Sequence, residues 1–373
     1  MQHQERDIAD GQALASLVDS LRDVPALAVD LETNSMYVYR ARLCFVQLAT
    51  EGEIYIVDTL ADAVEPTALN EPFQAPTCRK VFHDAQGDLR VLASAGIHVR
   101  NLFDTQRAAM LLGLPKIGLG DLVEERFGIK LAKEHQTANF GLRPLPEELR
   151  SYVADDVRYL LPLAAQLEEE AGAKGILEEL LLEFERLTVE GGEPETPPRP
   201  KLPGAARDAL GLAIAEAADR LRHREASSRD LPVGRVLANA VVGEVALRRP
   251  QTLKDLARIP GVKSSFTRPA GEELLAEIQR LRRLDAEGAL PAPPRPTGSR
   301  DPARRGREEK LKAWRADAAK ARGVVPSVVL PTPLVERLAT EPPRDLDELA
   351  QHRWLGEKRV QLYGAELVRL LAS

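Results

Sequence analysis

Ala26-Leu27-Ala28-Val29-Asp30-Leu31-Glu32-Thr33 carries two carboxylates at the end of an apolar run. Strand alternation sends Leu27, Val29 and Leu31 to one face and sets Asp30 beside Glu32 on the other, after Ala28. Two like charges so close repel each other and are costly to bury. A divalent cation, a basic partner or solvent has to relieve that cost. The rest of the chain decides which.

At 373 residues, 44% of them hydrophobic, the chain can fill more than one ordinary core. Its formal net charge of −6 excludes a globally basic field, so any nucleic-acid surface has to be local. Cys44 and Cys78 each sit in an apolar strand-like run and read as buried free thiols of a reducing compartment. The first residues are charged and then amphipathic, with Leu14, Leu17, Val18 and Leu21 at helical spacing after a cap at Asp10. That pattern is not a signal peptide, and no apolar run is long enough to span a membrane. The expectation is a soluble cytoplasmic protein, with a monomer favoured.

Two stretches rich in Pro and Gly, 190–204 and 286–302, divide the chain, and both contain Pro-Pro-Arg-Pro. A shift of 93 positions lays Val236-Leu237 over Val329-Leu330, and Val241 and Val245 over Leu334 and Leu338. It also lays 253–257 over 346–350. Two related helical units therefore follow an N-terminal domain, with expected bounds 1–190, 205–285 and 303–373.

In the N-terminal domain the strand candidates are 26–32, 43–49, 53–58, 79–83 and 100–104. The first three lie too close together for helical crossovers and predict an antiparallel meander. Helical patterns follow at 86–95, 105–113, 118–127 and 146–172. Such an order predicts a mixed sheet flanked by helices, an α/β domain.

Two further stretches stand out. In "KVFHDAQGDLRVL" a short strand turns into a helix whose first turn holds Asp88, where a carboxylate favours the macrodipole. His83, at the strand end, reads as a satisfied core histidine, and no histidine spacing suggests zinc. In "SYVADDVRYLLPL", Tyr152 and Asp156 share one helix face beside Val153, Val157 and Leu160. Taken alone, Asp156 reads as a surface charge and Tyr152 as a core aromatic with a wet hydroxyl.

Taken together, Asp30, Glu32, Asp88, Tyr152 and Asp156 are similar in order, spacing and element type to the motifs of the DEDD superfamily of 3′-to-5′ exonucleases. The tyrosine matches its tyrosine subgroup. "AVDLETNS", "CFVQLAT", "KVFHDAQGDLRVL", "LFDTQRAAMLLG" and "RPLPEELRSYVADDVRYLLPL" resemble the bacterial ribonuclease D family. The repeats, in "SSRDLPVGRVL", "RPQTLKDLARIPGV" and "LDELAQHRWLGEKRVQLYGAELVRLL", resemble paired HRDC domains. One departure is Ala138-Asn139-Phe140, where that family usually has Ser or Thr, then Asp-Trp.

The resemblance implies an RNase H-like mixed sheet followed by two small all-α HRDC domains. It implies two divalent ions, Mg²⁺ or Mn²⁺, roughly 3.5–4 Å apart. Asp30 would bridge them, Glu32 and Asp156 would hold the one on the nucleophile side, and Asp88 the one on the leaving-group side. Tyr152 would orient the attacking water. The implied partners are RNA, tRNA precursors above all, and no membrane. The alternatives are a DNA exonuclease of the same mechanism and a silent RNA-binding protein. Residues 300–323 hold nine basic side chains against four acidic ones, from Arg300 to Arg322, and read either as a solvated face or as a phosphate-binding surface. Tyr37 and Tyr39 are candidates for contacts to the 3′ end.

Overall fold

The computed structural model describes residues 3–132, 135, 137–192, 202–291 and 301–372. Most of both Pro-rich stretches, and Arg300, lie outside these. The described chain forms two compact units. One comprises 1–32, 43–195 and 298–373; the other comprises 33–42 and 196–297.

The first unit is built on a six-stranded sheet of order β1-β4-β3-β2-β5-β6. Its strands are β1 (Gln4–Ile8), β2 (Ala26–Thr33), β3 (Leu43–Ala49), β4 (Glu53–Asp58), β5 (Arg79–Phe82) and β6 (Leu102–Asp104). β2, β3 and β4 are consecutive neighbours, and β3 runs antiparallel to β4. β2, β5 and β6 pair in parallel, so the sheet is mixed. The helices are α1 (Gly11–Ser20), α2 (Asn70–Gln74), α3 (Ala85–Ser94), α4 (Thr105–Leu112), α5 (Leu119–Phe127), α6 (Glu147–Arg158), α7 (Leu160–Ala173) and α8 (Leu177–Glu190). Asp10 caps α1 through a 2.8 Å bond from the Ala13 N–H. Leu14, Leu17, Val18 and Leu21 then pack with Leu27, Val29 and Leu31 on one face of the sheet. The other face buries Ala28, Phe45 and Ile56 against Val153, Ala154 and Val157 of α6. Cys44 and Cys78 are buried and form no disulfide.

Two expectations are corrected. The charged segment Gln4–Ile8 is an edge strand, paired in parallel with β4. Edge strands tolerate charge, which is why its sequence carries no strand signal. Its acidic side chains have work to do: Glu5 accepts from Arg150 and Arg158 at 2.9 and 2.8 Å, and Asp7 from Arg150 at 3.1 Å. These pairs pin α6 to the sheet edge. The expected single helix over 146–172 is in fact α6 and α7, broken at Tyr159 (φ −107°, ψ −2°). Pro162 explains the break, since it has no N–H for the carbonyl four residues back and its ring clashes there.

The repeats follow the 93-residue shift in every helix start. The first comprises α9 (Ala209–Ser228), α10 (Val233–Val236), α11 (Asn239–Arg248), α12 (Leu253–Ala257) and α13 (Ser264–Ala286). The second comprises α14 (Pro302–Arg322), α15 (Pro326–Val329), α16 (Thr332–Thr340), α17 (Leu346–Ala350) and α18 (Glu357–Ala372). One internal bond repeats as well. Arg222 donates to the Leu237 carbonyl at 2.6 Å, and Arg315 to the Leu330 carbonyl at 2.9 Å.

The second repeat packs into the same compact unit as the N-terminal domain. Val328 joins the apolar cluster of α6 and α7. Glu179 on α8, only 1% exposed, pairs with Arg322 at 2.6 Å and Lys358 at 2.9 Å. Burial pushes its carboxyl up, but bonds to Lys358 and Arg322 outweigh that and hold it below its ordinary value. Gly356 lies at φ +84°, where a Cβ would strike Leu182 and Glu178 of α8. The double variant Arg322→Ala/Lys358→Ala strands a buried carboxylate, which costs about 3–5 kcal/mol. Chemical denaturation should show that loss, and Gly356→Ala should also lower the midpoint. Wild-type midpoints in both would contradict the docking.

Candidate active site

The site gathers where β2 ends. Alternation along β2 buries Leu27, Val29 and Leu31 on one face and presents Asp30 and Glu32 from the other. α6 crosses that face and brings in Tyr152 and Asp156, one turn apart. Carboxylate oxygens of Asp30, Glu32 and Asp156 all lie within 4.8 Å of one another. Asp88, in the first turn of α3, stands outside this group of three. Its charge is still felt by Asp30 and Glu32.

The electrostatics follow from crowding. Burial, then the Asp88 charge, pushes the Asp30 carboxyl well above its ordinary value. Burial, then Asp30, Asp156 and Asp88, pushes Glu32 up to about 10. Asp88 rises to about 8 through burial and the charges of Asp84 and Asp104. Asp156 also rises to about 8, through burial and Asp30. Among the described residues, no cationic side chain is a cause of any of these four shifts. Converging carboxylate oxygens without a protein counter-charge are a fitting donor set for a hard divalent cation.

Tyr152 is half-buried and raised above its ordinary value, first by burial and then by the charges of Asp156, Glu32 and Asp30. Its hydroxyl and the Asp156 carboxyl are close enough to shift each other's protonation. Phe140 stacks on its ring at 6.3 Å and His135 meets it edge-on at 5.8 Å. Phe140, from the departing Ala138-Asn139-Phe140 stretch, is thus a buried wall of the tyrosine. Arg143 anchors the same loop through two 2.6 Å bonds to Asp58 and a seat 4.1 Å over the Phe45 ring. A pocket of about 420 Å³ opens beside Asp30, Tyr152 and Asp156. His83, Gln106, Gly118, Gly120 and Asp121 also line it.

Asp104 was missed in the sequence. It is buried and accepts from the N–H groups of Asp84, Ala85 and Arg107 at 3.1, 3.0 and 3.0 Å. It thereby caps α4 and also holds the turn that starts α3, where Asp84 is left-handed at φ +61°. An Asp just before a helix signals the cap; the second task depends on β5 and β6 lying side by side. Other candidates fall elsewhere. In the second unit, the Tyr39 hydroxyl meets His223 at 3.2 Å and Arg235 covers the Tyr37 ring at 5.5 Å. Of the basic stretch, Arg307 donates to the Ala339 carbonyl, Arg315 to Leu330, and Arg322 pairs with Glu179. Arg304 and Lys312 pair with Glu308. Arg307 and Arg315 thus serve the repeat's own packing, while Arg305, Lys310, Lys312 and Lys320 are exposed.

The 3′-5′ exonuclease model matches residues 6–171, and the HRDC model matches 211–278 and 304–371. Fold and site thus define a 3′-to-5′ exonuclease joined to two HRDC domains, of a metal-dependent class. A ribonuclease D of Acidiphilium cryptum is 31% identical over 366 residues, spanning 96% of this chain and 91% of the relative. The crystal structure of Escherichia coli RNase D, an exoribonuclease involved in structured RNA processing, aligns at a TM-score of 0.71 and 28% identity. That alignment covers 100% of this chain and 99% of the other. The catalytic core of RRP6 from Trypanosoma brucei aligns at 0.63 and 26% identity, over 76% and 80%. The chain belongs to the ribonuclease D family of 3′-to-5′ exoribonucleases. No helix among the described residues is long and apolar enough to cross a membrane.

The raised carboxyls make a prediction with a definite sign. Their folded values, about 8 for Asp88 and Asp156 and about 10 for Glu32, lie above those of the unfolded chain. The metal-free fold therefore binds extra protons and loses stability as pH rises toward those values. In chelator, the melting temperature should fall between about pH 6 and about pH 9. Mg²⁺ or Mn²⁺ should restore it, with a larger gain at the higher pH. A cation gain that shrinks with rising pH would contradict the site.

Proposed function

We propose that this protein removes nucleotides one at a time from the 3′ ends of structured RNA, tRNA precursors included, releasing 5′-nucleotides. The observation that carries this reading is the convergence of Asp30, Glu32 and Asp156 within 4.8 Å, with Asp88 alongside. Asp30, Glu32 and Asp156 form one ligand set for a divalent cation, and Asp30 with Asp88 forms a second. When bound, a pair of Mg²⁺ or Mn²⁺ ions activates the attacking water and offsets charge on the leaving 3′ oxygen. The Tyr152 hydroxyl, held beside Asp156, orients that water rather than taking its proton; its raised pKa leaves it protonated. Phe140 and His135 keep the ring in place for that task.

In this reading, residues 1–190 form the nuclease domain, with HRDC domains at 205–285 and 303–373. The supporting likeness for substrate is the family itself. The basic stretch at 301–322 is not part of the proposal, since Arg307, Arg315 and Arg322 are committed within the fold.

The test is incubation of 3′-extended tRNA and of matched RNA and DNA oligomers with Mg²⁺ or Mn²⁺, with products resolved by length. Stepwise 3′ shortening of RNA is expected. Internal cuts, or preference for DNA, would overturn the reading. Asp30→Asn should abolish turnover while RNA binding persists. Tyr152→Phe keeps the ring's packing and should lose about 100-fold in kcat through a mispositioned water, with cation affinity near wild type. A Tyr152→Phe that loses cation binding or stability as Asp156→Ala does would make the tyrosine structural.

A further inference from the structure

His83 follows directly on β5, the strand paired with β2, and shares a pocket with Asp30 and Asp156. β2 and β5 pair in parallel with Ala26 opposite Arg79 and Ala28 opposite Val81. β5 ends at Phe82, so His83 is the residue that follows it, while Asp30 lies two residues beyond Ala28 on β2. Both residues line the same pocket.

The hydrogen bonds around the ring fix its tautomer. The Thr105 hydroxyl lies 3.0 Å from the Phe82 carbonyl, which can only accept, so it donates there. Having one proton, it must then accept from His83 Nδ1, 2.9 Å away. Nδ1 therefore carries the hydrogen and Nε2 carries a lone pair. Burial also holds the ring's pKa down to about 4, so it is neutral at pH 7. Nε2 is buried in the pocket wall and has no partner among the described residues. A buried acceptor left unpaired asks for a donor.

We propose that His83 Nε2 accepts a hydrogen bond from a ribose 2′-hydroxyl next to the scissile phosphate, and so selects RNA over DNA. This rests on the functional reading above, which places the reacting phosphate against Asp30. The donors nearest that phosphate along an RNA chain are the flanking 2′-hydroxyls; base N–H groups lie beyond the sugar. The 2′-hydroxyl is also the group by which a protein distinguishes the two nucleic acids. Asp104 and Thr105 are positioning residues for this contact: one holds the Asp84–Ala85 backbone, the other fixes the ring.

The test uses one oligoribonucleotide and two versions of it, each with a single 2′-deoxy sugar on one side of the terminal phosphodiester. Release of the first nucleotide is measured as kcat/KM for the wild type and His83→Phe. The wild type should lose roughly ten- to a hundredfold at one of the two sugars, the penalty of an unpaired buried acceptor. In His83→Phe the all-ribo rate should fall toward the deoxy rate, so that the ratio collapses. Should His83→Phe fail to fold, His83→Gln serves the same comparison, and its ratio at that sugar should change more than its overall rate. Equal wild-type rates on all three substrates would overturn the role of His83. So would a folded variant that slows ribo and deoxy substrates equally, because that marks a structural ring. Failure of the wild type to shorten any RNA would instead overturn the functional reading.

Discussion

Repulsion among Asp30, Glu32 and Asp156 is what the surrounding structure has to withstand. In the unfolded chain these side chains would separate into water; in the fold their oxygens lie within 4.8 Å. The sheet core under β2 holds one pair in place, and α6 supplies the third carboxylate. α6 is fixed by Val153, Ala154 and Val157 inside and by Arg150 and Arg158 outside, tied to Glu5 and Asp7. Each contact opposes a drift that would relieve the crowding. A site that stores electrostatic cost in this way is suited to a divalent cation, which would remove that cost.

The same logic extends to the second helical repeat. It sits on α8 with two cations on the buried Glu179, and its Val328 reaches the core that α6 and α7 share. At the position of Phe266 in the first repeat, the second has Arg359, also buried. Arg359 donates to the carbonyls of Val328, Trp354 and Leu355, and burial lowers its pKa to about 10. The two repeats share helix starts and the Arg222 and Arg315 bonds, yet their cores have diverged. The second is part of the catalytic unit.

The sequence was most legible where one local pattern had one structural solution. Alternation in 26–32 put Asp30 and Glu32 on one face, the ordered motif set brought in Tyr152 and Asp156, and the 93-residue shift exposed a repeat whose helix starts follow it. Illegible were features created by non-local pairing. Gln4–Ile8 is polar because it is an edge strand, and only its partner β4 makes it a strand. Asp104 reads locally as a helix cap, while its hold on Asp84 exists only once β5 and β6 are adjacent. His83 read as a satisfied core histidine, but among the described residues only its Nδ1 has a partner. In the basic run at 300–323, Arg307 and Arg315 turn to carbonyls and Arg322 to Glu179, contacts that charge counting cannot foresee.

The central claim is that crowded carboxyls are protonated until a cation displaces the protons. Calorimetry of Mg²⁺ or Mn²⁺ binding at pH 7, in buffers of different ionisation enthalpy, counts those protons directly. With Glu32 near 10 and Asp88 and Asp156 near 8, binding should release at least one proton per protein. The apparent enthalpy should then vary linearly with that of the buffer. A binding enthalpy independent of the buffer would mean that the carboxylates are already ionised and uncrowded, and would contradict the account.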